Sequence, residues 1–275
     1  MKVITLNLII PYKNEEKNII SFFSQLKKVK KKLINDKIKI ELTFIDDNSK
    51  QNENSIVIKN CKKKFINSVL IINEKNYGSH FSCLNALRYN KSDLSLFYWS
   101  DLELKINEIF ELVKIYRKYK KPICISYLNK YSFRENIFSF IFWKFFSILY
   151  FFNIKNYFSI LIDKKNYKKL TYKLKLTDLI FVKFFKNINN FKFHFTMLDK
   201  RKYGKTKWTL NKKIMLFYNA LIHGSLFTKT LIVLFLFLST YLNIFFLLLI
   251  IYFIYIETKM LILKNEIFKF KVNKL

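Results

Sequence analysis

The sequence predicts an α/β fold, a mainly parallel sheet with helices on both faces, followed by a membrane-associated C-terminal part. Three observations lead to this expectation. Strand-like and helix-like patterns alternate over the first 130 residues, polar clusters follow four of the strands, and residues 230–256 carry no charge. Together they describe a sheet-based domain joined to a segment that belongs in a bilayer.

The first part of the chain supplies the elements of the sheet in order. Apolar, β-branched runs predict strands at residues 3–10, 38–45, 68–72, 94–99 and 123–127. Apolar residues at helical spacing predict helices within residues 13–33, 79–89 and 106–119. Asn14 is the candidate N-cap of the first helix, with acidic residues in its first turn.

Polar residues follow four of the predicted strands, at 11–16, 46–49, 73–80 and 100–103. Ligands of parallel α/β sheets bind outside the carboxyl ends of the strands, so we expect these clusters at one edge. Asp101 and Glu103, two positions apart, can lie on the same side of an extended chain and reach one Mg²⁺ or Mn²⁺ ion. An exposed acidic turn is the alternative, but four polar clusters at four strand ends favour a ligand site.

The charge balance is strongly basic, 50 Lys+Arg against 19 Asp+Glu, or 50 − 19 = +31. The lysines are spread along the whole chain and no zinc-finger, basic-zipper or RNA-binding signature occurs, so we do not expect nucleic acid as a partner. With three glycines the sequence has no GxGxxG motif and no P-loop. Bound phosphates would therefore be held by a metal ion and by cationic side chains.

Cysteine and histidine are too scattered to build a metal centre. Cys61, Cys83 and Cys124 form no CxxC pair, which predicts buried thiols of a reducing compartment. The three histidines are equally far apart, and we expect structural or surface roles for them.

Two segments point to a membrane. Residues 136–162 are rich in aromatic residues but interrupted by lysines, which predicts amphipathic helices in the membrane interface. The 27 charge-free residues 230–256 exceed the length of about 20 that a single span needs. Because both flanks are basic, we expect a helical hairpin with spans near 226–240 and 243–256 and both ends in the cytoplasm. One long tilted helix is the alternative.

Five motifs, in this order, carry a family resemblance: "IIPYKNEEKNI", "IDDNS", "NEKNYGSHFSCLNAL", "SDLE" and "RKYGKTKWT". The sequence resembles the inverting nucleotide-sugar glycosyltransferases of the GT-A fold, of the dolichol-phosphate mannose synthase type, which includes bacterial enzymes that load a sugar onto undecaprenyl phosphate. The resemblance covers about residues 4–127 and 195–260. It implies a glycosyltransferase domain at 1–210, which contains the interfacial helices, and a juxtamembrane helix with a transmembrane hairpin at 211–275.

The resemblance also implies roles for individual residues. The residues that it assigns to binding of the donor nucleotide are Pro11, Tyr12, Glu15, Asp47, Asn76 and Gly78. Asp101 and Glu103 hold Mg²⁺ or Mn²⁺ on the diphosphate, and the basic motif with Arg201, Thr206, Lys207 and Trp208 closes over the phosphates. Asp101, Arg201 and Lys207 are the candidate catalytic residues. Trp99 departs from the family, which commonly has a further aspartate at this position, and the middle of the chain, with Arg134, matches only loosely.

The expected function is the transfer of a sugar from a nucleotide-sugar donor to a polyprenyl phosphate, by a multi-pass protein of the inner or plasma membrane with its catalytic domain in the cytoplasm. A second hypothesis is transfer to a lipid-linked glycan, which would need a carboxylate base such as Asp178. A third, motivated by Trp99, is a catalytically silent membrane scaffold. The sequence leaves the donor sugar, the nucleotide base and assembly into a homo-oligomer open.

Overall fold

The computed structural model describes residues 2–49, 53–64, 67–128, 156–204, 249–255 and 270–274, together with Phe140, Trp143, Lys144, Ser147 and Met215. The strands are β1 (Ile4–Tyr12), β2 (Ile38–Asp46), β3 (Ser68–Asn73), β4 (Leu94–Phe97), β5 (Ile123–Tyr127), β6 (Tyr157–Asp163), β7 (Lys192–Thr196) and β8 (Phe270–Lys274). The helices are α1 (Glu16–Asn35), α2 (Glu53–Lys64), α3 (Ser79–Leu87), α4 (Glu108–Tyr119), α5 (Tyr167–Thr171) and α6 (Ile180–Asn187).

These strands form one eight-stranded sheet in the order β7-β5-β6-β4-β1-β2-β3-β8. Strands β1 to β4 are parallel, with Ile4 opposite Ile38 and Leu6 opposite Leu94, and β5 pairs β7 in parallel. β6 runs antiparallel between β4 and β5, and β8 runs antiparallel along β3. The predicted α/β fold with a mainly parallel sheet is confirmed, and the carboxyl ends of β1 to β4 meet at one edge.

Helices cover both faces of the sheet. Alternate residues of β1 point to opposite faces: Leu8 lies in the core beneath α1, α2 and α4, whereas Ile9 lies in the core beneath α3, α5 and α6. Both side chains are fully buried. A strand covered on both faces needs apolar residues at consecutive positions, which explains the uninterrupted apolar run of β1.

The predicted N-cap of the first helix is wrong. α1 begins at Glu16, and the residue before it, Glu15, makes no side-chain capping hydrogen bond. Asn14 has a φ of 52°, in the left-handed region that asparagine tolerates better than most residues. Its backbone N–H donates to the Ser49 hydroxyl at 3.1 Å. Asn14 therefore turns the chain between β1 and α1 and joins this turn to the loop after β2.

The predicted interfacial helices at 136–162 are wrong at their C-terminal end, because residues 157–162 belong to β6. Ile160, Leu161 and Ile162 are fully buried in the sheet. A central strand and a membrane-facing helix both call for uncharged, apolar residues, so composition does not separate them. The rest of this segment lies outside the described residues apart from a few positions, of which Trp143 packs on the rings of Tyr157 and Phe181.

Within the part of the chain that the structure describes, no helix combines the length and the apolar character needed to cross a membrane. The predicted hairpin at 226–256 lies outside the described residues except for 249–255, which are helical.

Candidate functional site

The loops that follow β1, β2, β3 and β4 lie at the shared carboxyl edge of the parallel strands, where the sequence places its four polar clusters. Backbone hydrogen bonds connect these loops directly to the strands: the Asp47 N–H donates to the Tyr12 carbonyl at 2.9 Å, and the Tyr98 N–H donates to the Ile9 carbonyl at 2.9 Å. The edge is therefore a fixed platform for the side chains of these loops.

Asp47, at the end of β2, organises the loop that follows β3. Its Oδ1 accepts hydrogen bonds from the Tyr77 N–H at 2.8 Å and from Asn73 Nδ2 at 2.9 Å, and its Oδ2 accepts from the Gly78 N–H at 2.9 Å. Gly78 has a φ of 86°, a conformation that glycine adopts without strain. Asn76, two residues before it, also accepts from the Gly78 N–H, at 3.2 Å. The structure thus brings together the predicted donor residues of the second and third strand ends.

Tyr12 and Asp46 are joined through Asn54 of α2. The Tyr12 hydroxyl donates to Asn54 Oδ1, and Asn54 Nδ2 donates to Asp46 Oδ2 at 3.0 Å. The ring of Tyr12 is 2% exposed and packs edge-on against Phe44, and Pro11 beside it is buried. The Tyr12 side chain thus fixes the end of β1 to the end of β2 through Asn54.

The loop after β4 presents two carboxylates. Leu102 and Leu104 are buried in the core, whereas Asp101 and Glu103 between and beside them are half-buried. Leu102 has a φ of 61°, so the chain turns here rather than running extended as expected. The Tyr98 hydroxyl, buried beneath the loop, donates to the Leu104 carbonyl at 2.6 Å. The Glu103 N–H donates a hydrogen bond to Asp101 Oδ1 at 3.3 Å. Burial raises the pKa of Tyr98, and the nearby charges of Asp101 and Asp199 add to this effect.

These two carboxylates are suited to a divalent ion that is coordinated partly by the protein and partly by a bound phosphate ligand. Among the described residues, no group of three or more histidine, cysteine, aspartate or glutamate side chains could hold a metal by itself. Mg²⁺ is commonly bound through one or two carboxylates, with waters and substrate phosphates completing the octahedron. The donor set of Asp101 and Glu103 matches that arrangement.

Residues 198–204, which we call the strap, connect this loop to the end of β1. At one end of the strap, the Asp199 N–H donates to the Glu103 carbonyl at 2.8 Å and the Asp199 carboxylate lies 3.4 Å from Lys105 Nζ. Two residues later, Arg201 Nη2 donates to Glu15 Oε1 at 2.6 Å. Arg201 and Glu15, two predicted site residues, thus meet beside the Asp101 loop.

Gly204 ends the described part of the strap and shapes the turn around Arg201. Its φ is 75°, in the left-handed region where an added Cβ is strained. The preceding carbonyl, of Tyr203, accepts from Arg201 Nε at 2.9 Å. A Cβ on Gly204 would lie 3.8 Å from Arg201 Nε, an ordinary contact, so the backbone conformation rather than space calls for glycine here.

Trp99 and His80 form an aromatic wall next to the acidic loop. Their rings meet edge-on at 5.9 Å, and His80 also contacts the Phe181 ring at 6.3 Å. Trp99 Nε1 donates to the Phe158 carbonyl at 3.0 Å, which ties the start of the loop to β6. Burial lowers the pKa of His80 to about 4, so its imidazole is neutral near pH 7. Trp99 therefore has a structural hydrogen bond, and its ring packs against the core beneath α3, α5 and α6.

The predictions of a structural or surface role for His194 and of buried thiols for the cysteines agree with the structure, whereas His223 lies outside the described residues. His194 of β7 contacts Glu108, the first residue of α4, at 2.8 Å. Cys61, Cys83 and Cys124 are free and buried. Burial raises the pKa of the Cys61 thiol to about 11.

Three predicted site residues, Thr206, Lys207 and Trp208, lie outside the described residues. A cavity of about 290 Å³ lies at the opposite edge of the sheet, lined by residues such as Lys120, Asp163 and Lys169. None of the predicted site residues lines it; the described ones lie at the carboxyl edge of the sheet.

Sequence reasoning missed the side chains that orient the predicted ones: Asn18, Asn54, Asn73, Ser82 and Asp199. Asn73 and Asp199 lie within or beside the polar clusters, which is a weak signal for them. Asn18, Asn54 and Ser82 lie on helices, and no sequence pattern indicates which strand end they face.

The comparisons with known proteins agree on the fold. The family model described as glycosyl transferase family 2 matches residues 7–172. An uncharacterized protein of Methanocaldococcus jannaschii is 37% identical over 110 residues, which cover 38% of this chain and 44% of the relative. The match thus spans less than half the length of that relative.

Two solved structures share the fold at low sequence identity. Mannosyl-3-phosphoglycerate synthase from Rubrobacter xylanophilus is 10% identical with a TM-score of 0.55, covering 80% of this chain and 72% of that one. Glucosyl-3-phosphoglycerate synthase from Mycobacterium tuberculosis, in complex with Mn²⁺, UDP-glucose and phosphoglyceric acid, is 12% identical with a TM-score of 0.53, covering 80% and 79%.

Proposed function

The chain belongs to glycosyl transferase family 2, and we propose that it moves a sugar from a nucleotide-sugar donor to a polyprenyl phosphate with inversion at the anomeric carbon. The observation that carries this proposal is the convergence of the Asp101 loop, the strap with Arg201 and the loops after β1 to β3 at one edge of the sheet. This arrangement supports a site in which Asp101 and Glu103 hold a cation and Arg201 binds phosphate oxygens.

The donor is a nucleotide sugar, held by the strand-end loops. The loop at Asn76 and Gly78 is fixed by Asp47, and its backbone lies at the edge where ligands of parallel sheets bind. The glucosyl-3-phosphoglycerate synthase that shares the fold binds UDP-glucose together with Mn²⁺, which supports a nucleotide diphosphate sugar and a divalent ion here.

Departure of the nucleoside diphosphate is the step that the protein must assist. The C1–O bond to the diphosphate breaks, the electron pair leaves with the phosphate oxygen, and a phosphate oxygen of the acceptor forms the new bond to C1. Asp101 and Glu103 would hold Mg²⁺ or Mn²⁺, which supplies positive charge for the diphosphate. Arg201 adds a fixed positive charge next to it, and Lys207 of the same basic motif adds a second.

A lipid phosphate suits the acceptor side of this site. It is already an anion, so it attacks without a general base, whereas a sugar hydroxyl needs one. His80 contacts Trp99 at the start of the acidic loop, and burial keeps it neutral and enclosed between Trp99 and Phe181. The carboxylate of Asp199, in the strap, lies 3.4 Å from Lys105 Nζ.

The alternative acceptor, a lipid-linked glycan, depends on a carboxylate base such as Asp178. The Asp178 carboxylate accepts from the Lys175 N–H at 2.7 Å and lies 3.1 Å from Lys183 Nζ. These contacts give it a structural role at the start of α6, so the phosphate acceptor is the better supported of the two.

A polyprenyl acceptor also accounts for the charge-free residues 230–256, which we propose to lie in the inner or plasma membrane with the catalytic domain in the cytoplasm. The pairing of β8 with β3 supports an even number of crossings, because residues 270–274 return to the sheet of the catalytic domain. Two crossings match the hairpin expected from the basic flanks.

The test is a screen of radiolabelled UDP- and GDP-sugars with membranes that contain the full chain, supplied with undecaprenyl phosphate and Mn²⁺. We expect a labelled lipid from which mild acid releases the free sugar. With Asp101→Asn we expect no labelled lipid. Label only in a larger lipid-linked glycan would establish the alternative acceptor. No transfer from any nucleotide sugar would overturn the proposal in favour of a silent scaffold.

A further inference from the structure

We infer that Glu15 is a positioning residue that holds Arg201 toward the donor diphosphate, rather than a direct ligand of the nucleotide. The inference rests on the proposed function, since it concerns how the same site receives the diphosphate. It differs from the role that the sequence resemblance implies for Glu15, which is contact with the nucleotide itself.

Both carboxylate oxygens of Glu15 are occupied by protein groups. Oε1 accepts from Arg201 Nη2 at 2.6 Å, and Oε2 accepts from Asn18 Nδ2 at 2.5 Å. The Glu15 side chain is 8% exposed. Each oxygen can accept a second hydrogen bond, but so little of this side chain is exposed that a nucleotide ribose would have to displace one of these partners and break a buried charge-assisted hydrogen bond, which is costly. The carboxylate therefore faces the protein.

The same contacts fix the guanidinium of Arg201. Nε donates to the Tyr203 carbonyl and Nη2 donates to Glu15, so two of its edges are committed to the protein. Among the residues that the structure describes, none accepts a hydrogen bond from Nη1, and the Arg201 side chain is 17% exposed. A guanidinium held at two nitrogens presents the third in one direction, which is the condition for recognising phosphate with little loss of side-chain entropy.

The position of Arg201 follows from the strap. Asp199, two residues before Arg201, is bonded to the backbone of Glu103 in the acidic loop, while Glu15 lies directly before α1 at the end of β1. Arg201 is therefore held between the loop that would carry the metal and the loop after β1. A diphosphate bound at the carboxyl edge would lie between these two loops, next to Arg201.

The experiment uses the purified full chain in detergent and measures binding of UDP and GDP, and of uridine and guanosine, in the presence of Mn²⁺. We compare wild type with Glu15→Gln, Arg201→Ala, the double variant and Glu16→Gln as the matched control. Glu16 is the exposed neighbour of Glu15, so the control removes one carboxylate from the same turn.

We expect Glu15→Gln to weaken binding of the preferred nucleoside diphosphate about tenfold and to change the affinity for the corresponding nucleoside by less than twofold. Residues in contact are expected to couple in this way. In the Arg201→Ala background the same substitution should lower the affinity for the nucleoside diphosphate by less than a further twofold. Glu16→Gln should behave as wild type. Should Glu15→Gln fail to fold, Glu15→Asp, which keeps the charge but is too short to reach both partners, carries the same comparison.

Two results would overturn the inference while leaving the proposed function intact: equal losses for the nucleoside and the nucleoside diphosphate, or losses that multiply in the double variant. Either would mean that Glu15 contacts the nucleotide. A wild-type chain that binds neither UDP nor GDP overturns the proposed function, and the inference with it.

Discussion

Arg201 donates a hydrogen bond from Nη2 to Oε1 of Glu15 at 2.6 Å across 186 positions of sequence. Both side chains are mostly buried, at 17% and 8% exposure. Removing one partner of a buried ion pair leaves an uncompensated charge, which typically costs about 3–5 kcal/mol. The pair thus fixes the strap on the carboxyl edge of the sheet and brings a cation of the basic motif to the site.

Arg201→Lys is expected to lower turnover about tenfold or more, because lysine is a point charge and does not bond Glu15 and the Tyr203 carbonyl together. Initial rates of sugar transfer, measured beside membrane sedimentation of the chain, check this. Full turnover with reduced sedimentation would mean that the basic motif is only a lipid anchor. Lys202→Arg, next to it in the strap, is the matched control.

Asp101→Asn is expected to remove most of the activity while the fold is kept, because it preserves shape but removes the charge that a hard cation needs. Turnover is measured against Mn²⁺ and Mg²⁺ concentration, with circular dichroism to confirm folding. Excess chelator should abolish wild-type activity. A wild type that is indifferent to chelator, or an active Asp101→Asn, would contradict the metal assignment.

Trp99→Asp adds a third carboxylate two positions before Asp101, yet we expect a net loss of stability. The substitution deletes the hydrogen bond from Trp99 Nε1 to the Phe158 carbonyl and the ring contact with His80. Loss of a large, partly buried aromatic costs about 3 kcal/mol. Urea unfolding together with the Mn²⁺ dependence of activity separates the two effects, and unchanged stability would show that Trp99 has no structural role.

Asp47→Asn is expected to destabilise the protein by about 1–3 kcal/mol, since the carboxylate that accepts the Tyr77 and Gly78 N–H groups becomes a partial donor. Urea unfolding of wild type and variant gives the difference. Glu74→Gln, an exposed position in the same loop, should change stability little. Equal effects of the two substitutions would argue against Asp47 as the organiser of the loop.

The stability of the protein is expected to fall as the pH drops from about 6.5 to about 4, in part through His80. Burial lowers the pKa of folded His80 to about 4, whereas the unfolded residue keeps its ordinary value of 6.5. Over this window the unfolded state binds more protons, so acid favours unfolding. His80→Gln should reduce the loss measured by urea unfolding at pH 7 and pH 5, and an unchanged loss would contradict the burial of this ring.

A reporter fused after Leu275 is expected to report a cytoplasmic location, because basic residues flank residues 230–256 on both sides and β8 returns to the sheet. A matched fusion within the turn expected around Asn243 should report the opposite side. A periplasmic or lumenal signal from the fusion after Leu275 would rule out the hairpin.

The sequence by itself determined the α/β fold, the strands β1 to β5, and the edge at which Asp47, Asp101 and Gly78 lie. Local patterns suffice for this: strand and helix periodicities are set by neighbouring residues, and parallel strands bring their carboxyl ends to one edge. The position of β6 escaped prediction, because an uncharged run is suited to a central strand as well as to a membrane surface. The turn at Asn14 escaped prediction because asparagine is suited to a left-handed turn as well as to an N-cap.

Only the tertiary structure decided which polar groups meet. The pairing of Arg201 with Glu15, the anchoring of Asp199 on Glu103 and the role of Asp47 in holding the loop after β3 join residues far apart in sequence. Each side chain by itself is compatible with a solvent-exposed or a ligand-bound role. Its partner is set by packing of the strap and loops at the sheet edge, where a buried charge must be satisfied by whichever group the fold brings within reach.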